Sequence, residues 1–241
     1  MDRSRLELEP GVWLDAGRAV WLEEWHTLAI ADLHLGYAWA HRAEGQMMPL
    51  EAGEDTATRL LKLLDCYPAK EVVLLGDIVH RAVEVPALQS ELHEFVSTVS
   101  TRARLRFVAG NHDRDLAALF KKTGIVHEIA RSTAVGPHLL LHGDEPREEA
   151  AQANLRATKG RVILGHEHPA ITLSGGVASH VKCACFLAGP GILILPAFTR
   201  WAAGSVVGRD AFLSPYARLR QIDRALAIVA GKLMPVPLAT R

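Results

Sequence analysis

The strongest constraint on the fold is a pattern repeated along the sequence, in which an apolar segment of strand length runs into a short polar motif. The motifs are Asp32-Leu-His34, Gly76-Asp77-Ile-Val-His80, Gly110-Asn111-His112-Asp113, Leu141-His142-Gly-Asp144 and Gly165-His166-Glu-His168. In open α/β sheets the crevice beyond the carboxyl ends of the strands is where ligands bind. Five such ends would converge on one crevice, so the pattern predicts an α/β fold with a single composite site.

Segments with helical periodicity separate these strands, which fits the same class of fold. Strands are predicted at 27–31, 71–75, 105–109, 138–141, 161–164, 181–187, 191–195 and 205–207. Helices are predicted at 51–66, 86–99, 115–122, 148–159 and 216–230. No repeat, low-complexity tract or linker interrupts the sequence, so residues 1–241 are expected to form a single domain.

The spacing within the motifs has a direct physical reading. Asp32 and His34 are two positions apart, so on an extended segment their side chains leave the same face and can chelate one ion. His166 and His168 repeat that spacing from another strand end. A glycine stands before the polar residue in three of the motifs and lets the backbone turn sharply there.

The donor types predict which metals the crevice would hold. Asp77 supplies a carboxylate whose two oxygens could bridge two cations, Asn111 supplies an amide oxygen, and His142 supplies an imidazole. This mixture suits Mn, Fe or Zn better than Ca or Mg. Because no thiolate takes part, a structural zinc site is not expected.

Taken in order, the motifs resemble the signature blocks of the calcineurin-like metallophosphoesterases, over the stretch from Asp32 to His168. The resemblance implies a four-layer α/β sandwich in which two mixed β-sheets are flanked by helices. It also implies two divalent metal ions, most simply manganese, with iron or zinc as alternatives. The implied ligands are Asp32, His34 and His168 for one ion, Asn111, His142 and His166 for the other, and Asp77 as the bridge.

The resemblance further implies catalytic roles. A hydroxide bridging the two ions would attack phosphorus in line, and His112 would contact the phosphate and protonate or stabilise the leaving oxygen. Asp113 and Asp144 could orient neighbouring histidines. Relatives that dephosphorylate proteins have a second Asp where this sequence has His80, so a protein phosphatase is not expected. His80 could instead contact the substrate phosphate.

Features outside the metal blocks resemble one branch of this superfamily, the bacterial ligase-associated DNA damage response endonucleases. They are the Asp32-Leu-His-Leu-Gly36 block, an arginine-containing stretch that ends at Pro49, and a late Leu195-Pro-Ala-Phe198 block. The branch usually continues with Thr-Gly-Gly, whereas this sequence has Thr199-Arg-Trp-Ala-Ala-Gly204. The resemblance implies a manganese-dependent phosphodiesterase that cuts DNA and works alongside a DNA ligase and a helicase in DNA repair.

Two arginines close to the ligand motifs, Arg42 and Arg81, are candidates for binding the substrate phosphate.

Two other functions stay open: a phosphoesterase acting on a nucleotide, cyclic phosphodiester or pyrophosphate, and a non-catalytic scaffold of the same fold. The formal net charge is zero, which argues against a protein that coats nucleic acid through bulk electrostatics. Three cysteines and a charged N-terminal stretch without an apolar core predict a cytoplasmic protein without a membrane span.

Overall fold

The computed structural model describes residues 3–48, 56–82, 85–145, 160–174 and 180–238. The first sheet contains β1 (Arg5–Glu9), β2 (Val12–Asp15), β3 (Ala19–Leu22), β4 (Thr27–Ala31), β5 (Glu71–Leu75), β6 (Arg104–Val108) and β7 (Ile129–Ala130). The second contains β8 (Ser132–Val135), β9 (His138–Leu141), β10 (Val162–Leu164), β11 (Pro169–Ser174), β12 (His180–Gly189), β13 (Ile192–Ile194), β14 (Ser205–Val206), β15 (Arg224–Val229) and β16 (Lys232–Val236). The α-helices in the described ranges are α1 (Tyr37–Ala43), α2 (Thr56–Cys66), α3 (Pro86–Ser100) and α4 (Leu116–Thr123).

Both sheets are mixed. In the first, the strands follow chain order; β1 to β4 form an antiparallel meander, and β4 to β7 are parallel. In the second, β9, β10 and β13 are parallel and antiparallel strands flank them. The parallel strands β4 and β5 are buried at every residue, as expected for strands covered on both faces.

Three apolar clusters show how the layers stack. The first lies between the outer face of the first sheet and helices α2, α3 and α4, and includes Leu60, Leu92 and Phe120. The second lies between the two sheets, where Val73 of β5 packs in the same cluster as Phe186 of β12. The third covers the outer face of the second sheet with residues of the segment before β15. The site described below lies where the two sheets meet.

The predicted mixed α/β fold with two sheets and flanking helices is confirmed. The helix predicted at 148–159 lies outside the described residues. No helix within the described ranges is long and apolar enough to cross a membrane.

The helix predicted at 216–230 is wrong. This segment contains a 3₁₀ turn at Leu219–Gln221 and then strand β15. In β15 the side chain of Leu226 joins the cluster between the sheets, while those of Ala225 and Ala227 join the outer cluster. This alternation has the period of a strand, and pairing with β12 and β16 satisfies the backbone on both sides. In the sequence, the periodicity of a short apolar run such as this one does not distinguish a helix from a strand.

Candidate metal centre

The polar motifs gather because the strands before them are aligned. Ala31, Leu75 and Val108 are neighbours in register at the ends of β4, β5 and β6. Leu141 and Leu164 are paired at the ends of β9 and β10 in the other sheet. The two sets of strand ends face each other across the seam between the sheets, where the backbone N–H of His166 donates to the carboxylate of Asp32. All five motifs therefore open into one crevice.

Four of the predicted ligands form a compact cluster. The ligand atoms of Asp32, His34, Asp77 and His168 all lie within 4.8 Å of one another. The Nε2 atoms of His34 and His168 are 3.4 Å apart, and Nε2 of His168 is 3.4 Å from Oδ1 of Asp32. Two imidazole nitrogens facing two carboxylates form a donor set that fits one divalent cation.

The remaining predicted ligands surround the imidazole of His142. Its Nε2 lies 3.1 Å from Oδ1 of Asn111, 3.1 Å from Nδ1 of His166 and 3.4 Å from Oδ1 of Asp77. Several lone-pair-bearing atoms thus point at the same small volume. Carboxylate and amide oxygens and imidazole nitrogens are donor types that divalent transition metals accept, so this group also fits a metal ion.

Hydrogen bonds to the far side of each ring set which nitrogen faces the cluster. Nδ1 of His142 donates to the carbonyl oxygen of Leu75 at 3.1 Å, which leaves Nε2 as a lone-pair donor toward the cluster. Nδ1 of His34 lies 3.2 Å from Nδ1 of His80. When Nε2 of His34 binds a cation, its Nδ1 carries the ring proton and donates it to His80. Metal-binding histidines are commonly oriented in this way by a partner on the other nitrogen.

The backbone at the predicted ligands differs from the extended geometry expected from the two-residue spacing. Positive φ angles occur at Asp32, His34, Asp77, His166 and His168, from 43° to 66°. Residues in this left-handed region are strained when they are not glycine. The expectation of an extended segment is therefore wrong, because sharp turns rather than strand alternation bring each pair of side chains into the crevice. Such strain is typical of functional sites.

Gly76 has a specific reason to be glycine. Its φ is 73°, and a Cβ atom added there would lie 2.2 Å from Nδ1 of His142. The glycine predicted to permit a sharp turn therefore also makes room for the imidazole of a predicted ligand. Any side chain at this position would push His142 out of the cluster.

A Gly76→Ala substitution is expected to lower the free energy of unfolding by about 2–5 kcal/mol, from the left-handed backbone and the overpacking against His142. Gly124→Ala is the matched control, because Gly124 has a φ of 70° and nothing within 4 Å of an added Cβ. The control substitution should lower the free energy of unfolding by only about 1–2 kcal/mol. Urea unfolding measures both values, and equal losses in the two variants would contradict the steric argument.

The charges in the crevice are balanced by histidines. Burial disfavours ionisation of Asp32, but the hydrogen bond and charge of His168, together with His142 and His34, hold its pKa below the ordinary value. Burial lowers the pKa of His142 and of His168, but the neighbouring carboxylates outweigh it and raise both. Burial raises the pKa of Asp77. Metal binding would replace protons in this network, so it is expected to release protons.

The two predicted catalytic histidines lie beside the cluster. Nε2 of His112 is 3.9 Å from Oδ2 of Asp77, and the backbone N–H of His112 donates to Oδ1 of Asp77 at 3.0 Å. Nδ1 of His112 donates to the carbonyl oxygen of His80 at 2.7 Å. His80 thus positions His112 through its backbone and His34 through its ring. Its imidazole is half-buried, and burial lowers its pKa to about 4, so the ring is neutral and can accept from His34.

Asp113, Arg42 and Arg81 have partners that the sequence did not predict. Asp113 accepts hydrogen bonds from the backbone N–H groups of Gly110, Ile78 and Val79; its carboxylate orients the loops rather than a histidine. Arg42 donates to the carbonyl oxygen of Met48. Arg81 forms an exposed ion pair with Glu44. Asp144 lies where its charge raises the pKa of His142.

An aromatic group beside the cluster was missed in the sequence. The ring of Tyr37 lies 4.5 Å from that of His80 and stacks on Trp201 with centroids 5.8 Å apart and an interplanar angle of 3°. Trp201 belongs to the segment that departs from the Thr-Gly-Gly pattern. The stacking depends on α1 meeting a segment from the far end of the chain, and no local pattern indicates that.

A His80→Ala substitution is expected to lower metal affinity or turnover by about 10–100-fold, because it removes the acceptor that orients His34. The backbone carbonyl that holds His112 would stay. His80→Asn is the matched control, since its amide oxygen can take the position of Nδ1. Calorimetric titration with Mn²⁺ tests both variants. Equal affinity in His80→Ala and the unsubstituted protein would contradict this role of the ring.

Comparisons with known proteins identify the family of the chain. The family model described as "Calcineurin-like phosphoesterase superfamily domain" matches residues 26–199. The chain is similar in structure to Pseudomonas putida nuclease MPE, with 21% identity, a TM-score of 0.68, and coverage of 96% of this chain and 98% of that chain. A protein of unknown function from Aquifex aeolicus has 18% identity, a TM-score of 0.34, and coverage of 58% and 77%. No curated protein matches the sequence.

Proposed function

Since this chain belongs to the calcineurin-like phosphoesterase superfamily, a superfamily of metal-dependent hydrolases, we propose that it is a phosphodiesterase that cuts DNA. The predicted ligands would hold two divalent cations, with manganese as the metal to test first. Asp32, His34 and His168 would bind one cation, Asn111, His142 and His166 the other, and Asp77 both.

Asp77 provides the main support for a two-cation centre. Its Oδ1 faces the second group, 3.4 Å from Nε2 of His142, and its Oδ2 faces the first, 3.7 Å from Nε2 of His34. One buried carboxylate thus presents one oxygen to each set of nitrogen donors. Bound side by side, two divalent cations lower the pKa of a water molecule and offset negative charge on a phosphate.

The chain's own groups supply the rest of the chemistry. Because Nδ1 of His112 is held by the carbonyl oxygen of His80, its Nε2 faces Asp77, where the substrate phosphate would lie. A protonated His112 would donate from Nε2 to the leaving oxygen, which removes the cost of expelling an alkoxide. Asp77 holds the backbone N–H of His112, and this couples the position of the acid to the metal centre.

Three observations support DNA as the substrate. A protein of the same fold is named a nuclease in Pseudomonas putida, and the branch-specific motifs of the sequence resemble DNA endonucleases. The stacked pair of Tyr37 and Trp201 lies beside His80, where an aromatic surface could stack a nucleobase. A role beside a DNA ligase and a helicase stays a prediction.

A substrate panel with Mn²⁺ tests this function. It would contain bis-p-nitrophenyl phosphate, p-nitrophenyl phosphate, single- and double-stranded DNA, and cyclic nucleotides. We expect hydrolysis of the diester and of DNA, and no hydrolysis by the Asp77→Asn protein assayed in parallel. Hydrolysis of the monoester alone would overturn the nuclease proposal. Hydrolysis of cyclic nucleotides without DNA would favour the small-molecule alternative.

A further inference from the structure

A small pocket with a basic lining lies beside the candidate metal centre. Its volume is about 230 Å³, and its lining includes Arg18, Lys182 and Arg200 together with His168, one of the predicted ligands. The described lining contains no Asp or Glu. Pockets that enclose whole drug-sized ligands are roughly 300–1,000 Å³. This pocket therefore fits a phosphate group and its immediate substituents better than a whole nucleotide.

The pocket is connected to the centre through the backbone. The N–H of Thr199 donates to the carbonyl oxygen of Asp32 at 3.1 Å. Nη1 of Arg18 donates to the carbonyl oxygens of Ala197 and Thr199. The segment 197–200 thus lies beside the predicted ligand Asp32, and its last residue, Arg200, forms part of the pocket wall. The segment is the one that departs from the Thr-Gly-Gly pattern.

Two of the three cations in the pocket, Arg18 and Lys182, donate to backbone carbonyl oxygens. Among the described residues, neither Arg18 nor Lys182 forms an ion pair with a carboxylate. Burial lowers the pKa of Arg18, and the like charge of the nearby Arg200 lowers it further. Lys182 donates to the carbonyl oxygen of Gly204 and so is held at the pocket edge. An anion would offset the repulsion and use the remaining guanidinium and ammonium donors.

We propose that this pocket binds a second, non-scissile phosphate of the substrate while the scissile phosphate lies at the metal centre. The proposal rests on the proposed function and adds a second phosphate contact to it. The substrate would be a chain with phosphates on successive nucleosides, rather than an isolated diester. Arginine suits this recognition because its planar guanidinium matches phosphate oxygens.

The test compares binding of thymidine 3′,5′-bisphosphate with that of thymidine 3′-monophosphate and 5′-monophosphate, by calorimetry on the Mn²⁺-loaded protein. The bisphosphate should bind the unsubstituted protein about 10-fold or more tightly than the better monophosphate, through charge-assisted hydrogen bonds. In the double variant Lys182→Gln/Arg200→Gln this ratio should fall close to one. A control, Lys121→Gln/Arg220→Gln, removes the same charges from exposed positions outside the pocket and should keep the ratio.

Each outcome has a defined meaning. A ratio near one in the unsubstituted protein, or an unchanged ratio in the double variant, would overturn the second phosphate site. If the double variant lost affinity for monophosphates as strongly as for the bisphosphate, the pocket would hold the scissile phosphate instead, and the proposal would also fail. Calorimetry needs no turnover, so the pocket can be tested even when the substrate panel rejects DNA cleavage. Cleavage of DNA without a bisphosphate preference would reject the pocket alone.

Discussion

Replacement of His112 by alanine is expected to slow hydrolysis of a dinucleoside phosphate by about 10²–10⁴-fold, the usual contribution of a positioned general acid. The nucleoside leaves as an alkoxide, which needs a proton. Nitrophenolate is a stable leaving group, so the loss on bis-p-nitrophenyl phosphate should be clearly smaller. The difference between the two substrates separates proton donation from a general disturbance of the site.

Steady-state kinetics with both substrates measure this difference, and metal content measured in parallel shows that the centre is retained. His93→Ala is the control, because His93 is an exposed residue of α3. Equal losses on both substrates would indicate that His112 acts on the phosphate rather than on the leaving group. Unchanged rates on both would contradict any catalytic role for His112.

An Asp77→Asn substitution is expected to abolish the stabilisation that metal ions give to the folded protein. At a free metal concentration of 100 times Kd, each cation bound by the native state contributes about 2.7 kcal/mol. For a chain of this length each such contribution raises Tm by about 5–11 °C. The substitution removes the only bridging carboxylate proposed for the centre, so this rise should largely disappear.

The metal-free protein should respond in the opposite direction. Asp77 is a buried carboxylate near Asp32, and burial raises its pKa. A neutral amide of the same shape removes the free-energy cost of burying the charged carboxylate. The Tm without metal should therefore be unchanged or higher in Asp77→Asn. Thermal unfolding with Mn²⁺ or EDTA gives both numbers, with the exposed Asp65→Asn as control. A full metal-induced rise in Asp77→Asn would refute the bridging assignment.

Much of the central fold could be predicted from the sequence, because parallel strands buried on both faces leave continuous apolar runs. Strands β4, β5 and β9 lie at the predicted positions 27–31, 71–75 and 138–141. The meander β1 to β3 was missed, since its strands are only four or five residues long and gain their identity from pairing with one another. The segment of β15 was misread for the related reason that its apolar run suits either period.

The candidate site divides in the same way. Residues within the motifs, such as Asp32 and His142, could be predicted as a group because each follows a strand whose carboxyl end opens into the same crevice. Arg18 and Trp201 could not, because their positions depend on contacts between distant segments. The guanidinium of Arg18 reaches Ala197 at a separation of 179 positions. Arg42 and Arg81 were chosen by closeness in sequence, and the structure gives them Met48 and Glu44 as partners.

The seam between the sheets has a consequence for the lifetime of the protein. The backbone N–H of His166 donates to both carboxylate oxygens of Asp32 at 3.1 Å. A predicted ligand of one sheet therefore contacts a predicted ligand of the other across the seam. Neither sheet alone holds all of the predicted ligands, so the proposed centre is complete only when the two sheets are packed together. Metal bound to the complete centre would then hold the two sheets together and slow the unfolding of the chain.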